Sequence, residues 1–279
     1  MTRFSSLGFL LALSISAMAE VAPADQGYSI VEKLPDAKLG DFHGYSRYDL
    51  MHEDAGGSVK VVVPRVVREG RPWIWRARFF GHQPALDLQL LERGWHVVYC
   101  DVTNLYGSDE AMARWDRCHA YFVKAGLSSK PVLEGMSRGG LPIFRWASRN
   151  PDKVAAVYGD NPVCDFRTWP SGIASGKRSE ADWKRLLEVW KLTDEEATKH
   201  AQVIDGLEPL AKAKVPVALV LGLKDDVVPA AENGLRLAER YAELGGPVRV
   251  WKKPEAGHHP HGLHPPDELR QFLMQAAGF

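Results

Sequence analysis

The sequence has few cysteines, no long apolar run and no excess of charge of either sign. Its 279 residues include three cysteines, and 35 basic residues balance 35 acidic ones. Three cysteines cannot all pair within one molecule, so a disulfide framework is excluded. A single bridge between Cys100 and Cys118 remains open, although we expect buried, inert thiols. The charge balance argues against nucleic acid as a partner.

The first nineteen residues have the pattern of a secretory signal peptide. Arg3 precedes an apolar run at Leu7–Leu13, and the small-residue site Ala17–Ala19 marks a point of cleavage. The run is too short to span a bilayer, and no later segment is apolar enough to do so. We therefore expect a secreted or periplasmic protein without a membrane partner. Residues 20–38 are polar and are expected to be flexible, ahead of one domain at 39–279.

Strand and helix patterns alternate along this domain, without internal repeats or low-complexity tracts. Two β-rich segments come first, at 42–50 and 59–64, joined by a turn at 53–57. Further strands are predicted at 73–76, 95–100, 131–133, 154–158, 215–221 and 248–251. Amphipathic helices between them favour an α/β fold with a mostly parallel sheet and helices on both faces. The alternation breaks at about 161–214, where short helices are predicted to form a small cap.

The stretch at 131–140, PVLEGMSRGG, contains a G-x-S-x-G pattern around Ser137. A buried strand that turns at once into a helix holds this serine in a strained backbone geometry, and Gly135 and Gly139 are expected to prevent collisions on either side. Pro142 then falls in the first turn of the helix. Ser137 would lie above a helix N-terminus, where free amides favour negative charge. Taken alone, the pattern also fits an ordinary strand-to-helix turn.

A candidate acid follows a later buried strand. Asp225 and Asp226 come directly after the apolar run at 215–221, in a loop that can turn a carboxylate toward the serine. Asp225 fits the spacing G-x-x-D-x-x-V-P and is preferred, with Asp226 as the alternative. Asp160, which follows an earlier strand, is a third candidate.

A candidate base lies in the loop after the last strand, in the stretch AGHHPH. His258 directly follows a glycine that lets the loop approach the serine, so it is preferred over His259 and His261. The chain order serine, aspartate, histidine is that of α/β-hydrolases. The histidines at 258, 259, 261 and His264 are also a conceivable zinc site, but no carboxylate or cysteine lies at ligand spacing. We expect no metal and no cofactor.

With these motifs, the chain resembles α/β-hydrolase-fold serine hydrolases. It is most similar to dienelactone-hydrolase-like and prolyl-oligopeptidase-like esterases, and to secreted hydrolases of polysaccharide-degrading bacteria. The resemblance runs from about residue 42 onward and rests on GMSRGG, on G-x-x-D-x-x-V-P and on the Gly-His pair. It implies Ser137 as the nucleophile, Asp225 as the acid and His258 as the base of an acyl-enzyme mechanism.

An oxyanion hole is expected from the backbone amide of Arg138 and from a second amide near Arg76. Many relatives carry a His-Gly pair after the third strand. This sequence has Trp75-Arg76-Ala77 there, so it departs from the family pattern at the second donor.

Three residues are predicted to contact substrate: Trp169, Arg78 and His82. Trp169 falls in the cap, and a flat aromatic ring suits a sugar, whereas tryptophans at helical spacing there are predicted to be core. The arginines around the serine suit a carboxylate, such as that of a uronic acid or an acidic acyl group. Ion pairs with Glu134 or Asp101 are the alternative role for them.

These patterns predict a secreted serine esterase that removes an acyl group from a carbohydrate, with a small-molecule or carbohydrate ester as its partner. One alternative is a serine peptidase of the prolyl-oligopeptidase type, although the sequence shows no gating domain of the kind those enzymes carry. A second alternative is a non-catalytic carbohydrate-binding or scaffold protein.

Overall fold

A mixed β-sheet organises the part of the chain that the computed structural model describes, residues 24–174 and 176–279. The predicted signal peptide lies outside these residues. The described strands are β1 (Lys38–Phe42), β2 (Tyr45–His52), β3 (Gly57–Val62), β4 (Trp73–Arg76), β5 (His96–Cys100), β6 (Val132–Met136), β7 (Ala156–Asp160), β8 (Val217–Gly222) and β9 (Val248–Lys253). Their order in the sheet is β1-β2-β3-β5-β4-β6-β7-β8-β9.

The sheet begins antiparallel and continues parallel. β1, β2 and β3 pair antiparallel, as does β3 with β5, and all pairs from β4 to β9 are parallel. The predicted α/β fold with a mostly parallel sheet is therefore confirmed. The first predicted strand, 42–50, is in fact divided by a tight turn. His43 and Gly44 both have positive φ, 52° and 80°, so the chain reverses there and β1 begins earlier, at Lys38.

The hydrophobic core lies on both faces of the sheet, because successive residues of each buried strand point in opposite directions. Trp75 of β4 points to one face, where Trp115 stacks on it with 4.1 Å between ring centroids. Ile74 points to the other face and joins Leu90 and Leu273. The helices that cover the sheet or lie in the segment after β7 are α1 (Ala85–Leu91), α2 (Asp109–Lys124), α3 (Gly140–Arg149), α4 (Glu180–Trp190), α5 (Asp194–Lys199), α6 (Glu208–Lys212), α7 (Gly234–Glu243) and α8 (Asp267–Ala276).

The segment before β1 is packed onto the domain from residue 24 onward. Ile30 is fully buried in a short 3-10 helix, and Leu34 also joins the core. Asp25 Oδ2 lies 2.6 Å from Nε of Arg71. For residues 24–38 the structure thus differs from the flexible segment expected at 20–38, because apolar residues spaced along a polar stretch give it a buried side. Residues 20–23 lie outside the described residues.

The segment between β7 and β8 carries α4, α5 and α6. Trp183 and Leu186 of α4 pack with Phe166 in a separate hydrophobic cluster, which also includes Leu141 of α3. The helix that follows the G-x-S-x-G turn therefore forms part of the floor of this insertion. Helix α5 begins with a capping box between Thr193 and the residue three positions later, as its sequence indicates.

The three cysteines are buried and free of disulfides. Burial raises the pKa of Cys118 and of Cys164 well above the usual value, so both thiols stay protonated and unreactive. Across the described ranges, no helix combines the length and the apolar character needed to span a bilayer.

Candidate active site

Ser137 lies in the sharp turn between β6 and α3, with φ of 51°. A Cβ atom at Gly135 would overlap the carbonyl oxygen of Gly139, so the predicted need for glycine before the serine is met. Gly139 is different, because a Cβ there would meet its nearest atom at an ordinary 3.6 Å. The second crowded position is Gly140, whose Cβ would lie 2.5 Å from the carbonyl oxygen of Val163.

His258 contacts both Ser137 and Asp225. Its Nε2 lies 2.9 Å from the serine Oγ, and its Nδ1 lies 2.7 Å from Oδ2 of the aspartate. All three residues are buried. Because a carboxylate only accepts hydrogen bonds, the contact with Asp225 keeps the proton on Nδ1. The lone pair of Nε2 is thereby left facing the serine hydroxyl, as a general base requires.

The acid is Asp225 rather than Asp226. Its Oδ1 accepts hydrogen bonds from the backbone amides of Val227 and Val228 at 2.9 and 2.8 Å, which fix the carboxylate. Asp226 points outward, with its side chain 70% exposed, and pairs with Lys177 at 2.7 Å. The loop therefore directs the carboxylate of Asp225 inward and leaves that of Asp226 at the surface.

The remaining candidates, Asp160 and His261, contact each other. Oδ1 of Asp160 lies 2.7 Å from Nδ1 of His261, and Oδ2 accepts a hydrogen bond from the hydroxyl of Tyr158. Both residues are buried, whereas His259 is exposed. The structure thus contains a second aspartate-histidine pair, which sequence reasoning missed. The signal was there in Asp160, a carboxylate at the carboxyl end of a strand.

Arg76 is not placed as the oxyanion prediction requires. Arg76 lies inside the sheet, opposite Tyr99 of β5 on one side of β4 and Glu134 of β6 on the other. In such strands the backbone amides are used in hydrogen bonds between strands, so they are not free to bind an oxyanion. The next amide, of Ala77, donates to the carbonyl oxygen of Glu134 at 2.9 Å. The amide of Arg78 has no acceptor among the described residues, and this residue lies against Gly139. Arg78 therefore replaces Arg76 as the second candidate donor, beside Arg138.

The side chain of Arg76 belongs to a buried charged cluster under the site. It forms an ion pair with Asp87, a partner that the sequence did not suggest, and it lies 3.5 Å from Glu134. It also donates to the carbonyl oxygen of His82 at 2.8 Å. Burial raises the pKa of Glu134, partly opposed by the charge of Arg76. These contacts keep the guanidinium away from any substrate.

The other two arginines differ in their partners. Nη1 of Arg138 donates to Asp182 of α4 at 2.6 Å and to the hydroxyl of Tyr106 at 2.9 Å. Arg78 forms no ion pair with a described residue, and its buried Nε has no hydrogen-bond partner there. Burial and the nearby charge of Arg138 lower the pKa of Arg78. Its guanidinium lies 4.4 Å from the ring centroid of Phe79.

Trp169 is largely covered. Its side chain belongs to a residue only 8% exposed, and the guanidinium of Arg138 lies 5.1 Å from its ring centroid. The flat sugar platform predicted for it is therefore not open. Trp183 is core, as predicted. Trp190 lines a cavity of about 500 Å³, but none of the three residues in contact at Ser137 lies in that lining.

A strand-to-helix turn that presents a serine, a histidine at its Oγ and a carboxylate behind the ring define a serine hydrolase of the α/β-hydrolase fold. The sequence agrees. Residues 117–277 match the model of the prolyl oligopeptidase family, which is more than half of the chain. The chain belongs to the prolyl oligopeptidase family.

Solved structures show the same fold. The chain is similar to a puromycin-hydrolysing peptidase of Mycobacterium tuberculosis (TM-score 0.64, 15% identity, 87% of this chain and 39% of that one). It is similar to dipeptidyl peptidase 4 of Porphyromonas gingivalis (TM-score 0.61, 14% identity, 86% of this chain and 35% of that one). It also resembles Est1E of Butyrivibrio proteoclasticus (TM-score 0.56, 17% identity, 87% of this chain and 99% of that one). The chain thus spans well under half of the two peptidases. No curated protein matches its sequence.

Proposed function

We propose that this serine hydrolase is a secreted carboxylic ester hydrolase that removes an acyl group from a carbohydrate. The observation that carries the proposal is the 2.9 Å contact of Ser137 Oγ with Nε2 of His258, whose Nδ1 is bound to Asp225. A serine hydroxyl is a poor nucleophile at neutral pH, and this geometry supplies the base that it needs. The proposed location rests on the signal-peptide pattern of the sequence.

The reaction proceeds in two steps. Ser137 attacks the ester carbonyl while His258 takes the hydroxyl proton, and Asp225 stabilises the imidazolium that forms. The amides of Arg138 and Arg78 meet the charge on the carbonyl oxygen. His258 then returns the proton to the leaving alcohol, which leaves an acyl group on Ser137. Water, activated by the same imidazole, releases the acid.

Arg78 supports a substrate with a negative charge. Its guanidinium has no carboxylate partner among the described residues, and its Cβ lies beside Gly139, in the turn that carries Ser137. Arg138 nearby has its own partner in Asp182. A carboxylate on the sugar, as in a uronic acid, or on the acyl group would complete the pairing of Arg78. Exposed His82 lies beside His259 and His261, and it is the second substrate contact we propose.

A serine peptidase is the second candidate. The family match and the two similar peptidase structures favour it. The same three residues would then acylate on a peptide bond, with an amine as the leaving group.

The two candidates are separated by substrates offered to one preparation. The purified protein is assayed on p-nitrophenyl acetate, on acetylated and feruloylated polysaccharide, and on proline-containing peptide nitroanilides. Ser137→Ala is measured alongside, with Ser148→Ala on α3 as the matched control. We expect ester turnover that only Ser137→Ala abolishes. Peptide cleavage without ester turnover would favour the peptidase. Equal rates from Ser137→Ala and the native protein, with no labelling by a fluorophosphonate probe, would leave a non-catalytic protein.

A further inference from the structure

Three imidazole rings, one of which is the base His258, lie close together. Ring centroids lie 4.9 Å apart for His258 and His261, 5.1 Å for His258 and His259, and 4.8 Å for His259 and His261. One nitrogen from each ring falls within 4.8 Å of the others. His82 stands at the edge of this cluster, 5.9 Å from His261 between centroids. Catalysis by the serine uses only His258.

The two buried rings are held in the orientation that metal-binding histidines adopt. Nδ1 of His258 lies 2.7 Å from Asp225, and Nδ1 of His261 lies 2.7 Å from Asp160. Each carboxylate fixes the ring proton on Nδ1, so that the lone pair is on Nε2. A carboxylate behind the imidazole is the usual outer partner of a zinc-bound histidine. These two carboxylates are distant in sequence from the histidines, so the spacing of residues in the histidine loop did not reveal them.

His261 has a lone pair that nothing described in the structure uses. Its side chain is buried, and its Nε2 has no hydrogen-bond partner among the described residues. Leaving a buried acceptor unpaired costs free energy, and a ligand that accepts its lone pair would recover it.

We propose that His258, His259 and His261 bind a divalent transition-metal ion, with Zn²⁺ as the reference ion, and that the bound ion inhibits the enzyme. Neutral imidazoles suit Zn²⁺ and Cu²⁺ and bind Mg²⁺ and Ca²⁺ poorly. The inhibitory part of this inference rests on the proposed function, whereas the binding part does not. Two buried carboxylates behind the rings offset the charge of the ion.

The inhibition follows from the electron pairs. The ion accepts the Nε2 lone pair of His258, and the hydrogen bond between that nitrogen and the hydroxyl of Ser137 breaks. The serine keeps its proton, because its acceptor is occupied, and no proton needs to leave the site. Zinc-nitrogen bonds are about 2.0–2.1 Å long, so the three nitrogens must draw together around the ion. Exposed His259 is the ring that is free to rotate inward.

Binding is tested on the purified, chelator-treated protein. Zn²⁺ is titrated by calorimetry, and Co²⁺ is added separately so that its visible absorption reports a tetrahedral site with nitrogen ligands. Mg²⁺ serves as the control ion. We expect one Zn²⁺ per chain and no response to Mg²⁺. Absence of both the calorimetric signal and the Co²⁺ spectrum overturns the proposal, whether or not the protein hydrolyses esters.

Variants locate the site. His259→Ala removes an exposed ring, and His261→Gln removes a buried one. Each is expected to weaken Zn²⁺ binding about tenfold or more, the scale on which the surroundings of a bound metal affect its affinity. His43→Ala removes an exposed histidine from the turn between β1 and β2 and is expected to bind Zn²⁺ as the native protein does. Equal affinity in all three variants overturns the assignment.

Inhibition is measured on p-nitrophenyl acetate and by the rate of fluorophosphonate labelling. Stoichiometric Zn²⁺ is expected to suppress both, and a chelator is expected to restore both. For each variant, the Zn²⁺ concentration that halves its own metal-free rate is compared with its binding constant. Zn²⁺ that binds at the three rings without slowing the labelling of Ser137 contradicts the inhibitory role.

Discussion

Asp225 and His258 are joined through a single hydrogen bond of 2.7 Å between Oδ2 and Nδ1, on the side of the ring opposite Ser137. The carboxylate is buried and is fixed by two backbone amides, so it cannot turn away from the ring. The orientation and tautomer of the base therefore depend on this one side chain.

Replacing Asp225 tests that dependence. Asp225→Asn keeps the size of the side chain but lets its amide donate to Nδ1, which moves the ring proton to Nε2 and removes the base. We expect kcat to fall by about 10⁴-fold. Asp226→Asn is the matched control and should keep nearly full activity, because its side chain is at the surface. Comparable losses in the two variants would show that the acid has been misassigned.

The glycine before the nucleophile should be less replaceable than the one after it. Gly135→Ala places a methyl group against the carbonyl of Gly139, whereas Gly139→Ala meets only ordinary contacts. We expect Gly135→Ala to lower the free energy of unfolding by about 1–3 kcal/mol, as overpacked positions do. Urea denaturation measures this, with Gly206→Ala, where a Cβ meets nothing within 4 Å, as the control. A smaller loss for Gly135→Ala than for Gly139→Ala would contradict the packing at the turn.

The raised pKa of Glu134 predicts that the stability of the protein depends on pH. Its pKa is raised in the folded state, chiefly by burial, so the folded protein holds a proton that the unfolded chain releases above about pH 4.5. Stability from this group is thus complete below that pH and is lost as pH rises toward the folded pKa. Within this window the slope is about 1.4 kcal/mol per pH unit.

The measurement compares unfolding free energies from pH 5 to pH 8. In Glu134→Gln this group no longer titrates, so the variant should lose less stability on going to high pH than the native protein. Glu69→Gln, at an exposed position, should keep the native pH dependence. Parallel curves for the native protein and Glu134→Gln would mean that Glu134 is already charged at low pH, paired with Arg76.

Arg78 predicts discrimination between acidic and neutral substrates. Hydrogen bonds to charged groups contribute about 1.5–3 kcal/mol, so Arg78→Gln should lower the ratio of kcat/KM for acetylated glucuronic acid to that for acetylated glucose about tenfold or more. The backbone amide stays in place, so the change should appear in this ratio. Arg93→Gln, remote on the surface near α8, is the control. An unchanged ratio in Arg78→Gln rejects carboxylate recognition, while turnover of either sugar ester still supports the proposed function.

The sequence predicted what depends on local pattern. The parallel sheet follows from apolar runs, and the turn at Ser137 follows from the need for Gly135. Asp225 and His258 could be preferred because each has a distinctive neighbour in sequence. Partners distant in sequence could not be predicted in this way. The pairing of Asp160 with His261 depends on how the loop after β9 meets the carboxyl end of β7.

The errors have the same origin. Arg76 was expected near the oxyanion, but Asp87 and Glu134 hold its side chain inside, and strand pairing occupies its backbone. Trp169 was expected to be open, but the guanidinium of Arg138 covers its ring. Both outcomes are decided by neighbours that no periodicity reveals.

Arg138 has two tasks in one residue. Its backbone follows the nucleophile, while its guanidinium links the turn to Asp182 on the insertion. Substitutions at this contact that are meant to admit bulkier substrates would therefore also disturb turnover. Redesign is better started on α5 at Glu195, an exposed residue whose ion pair is with Lys199 and with neither residue of that link.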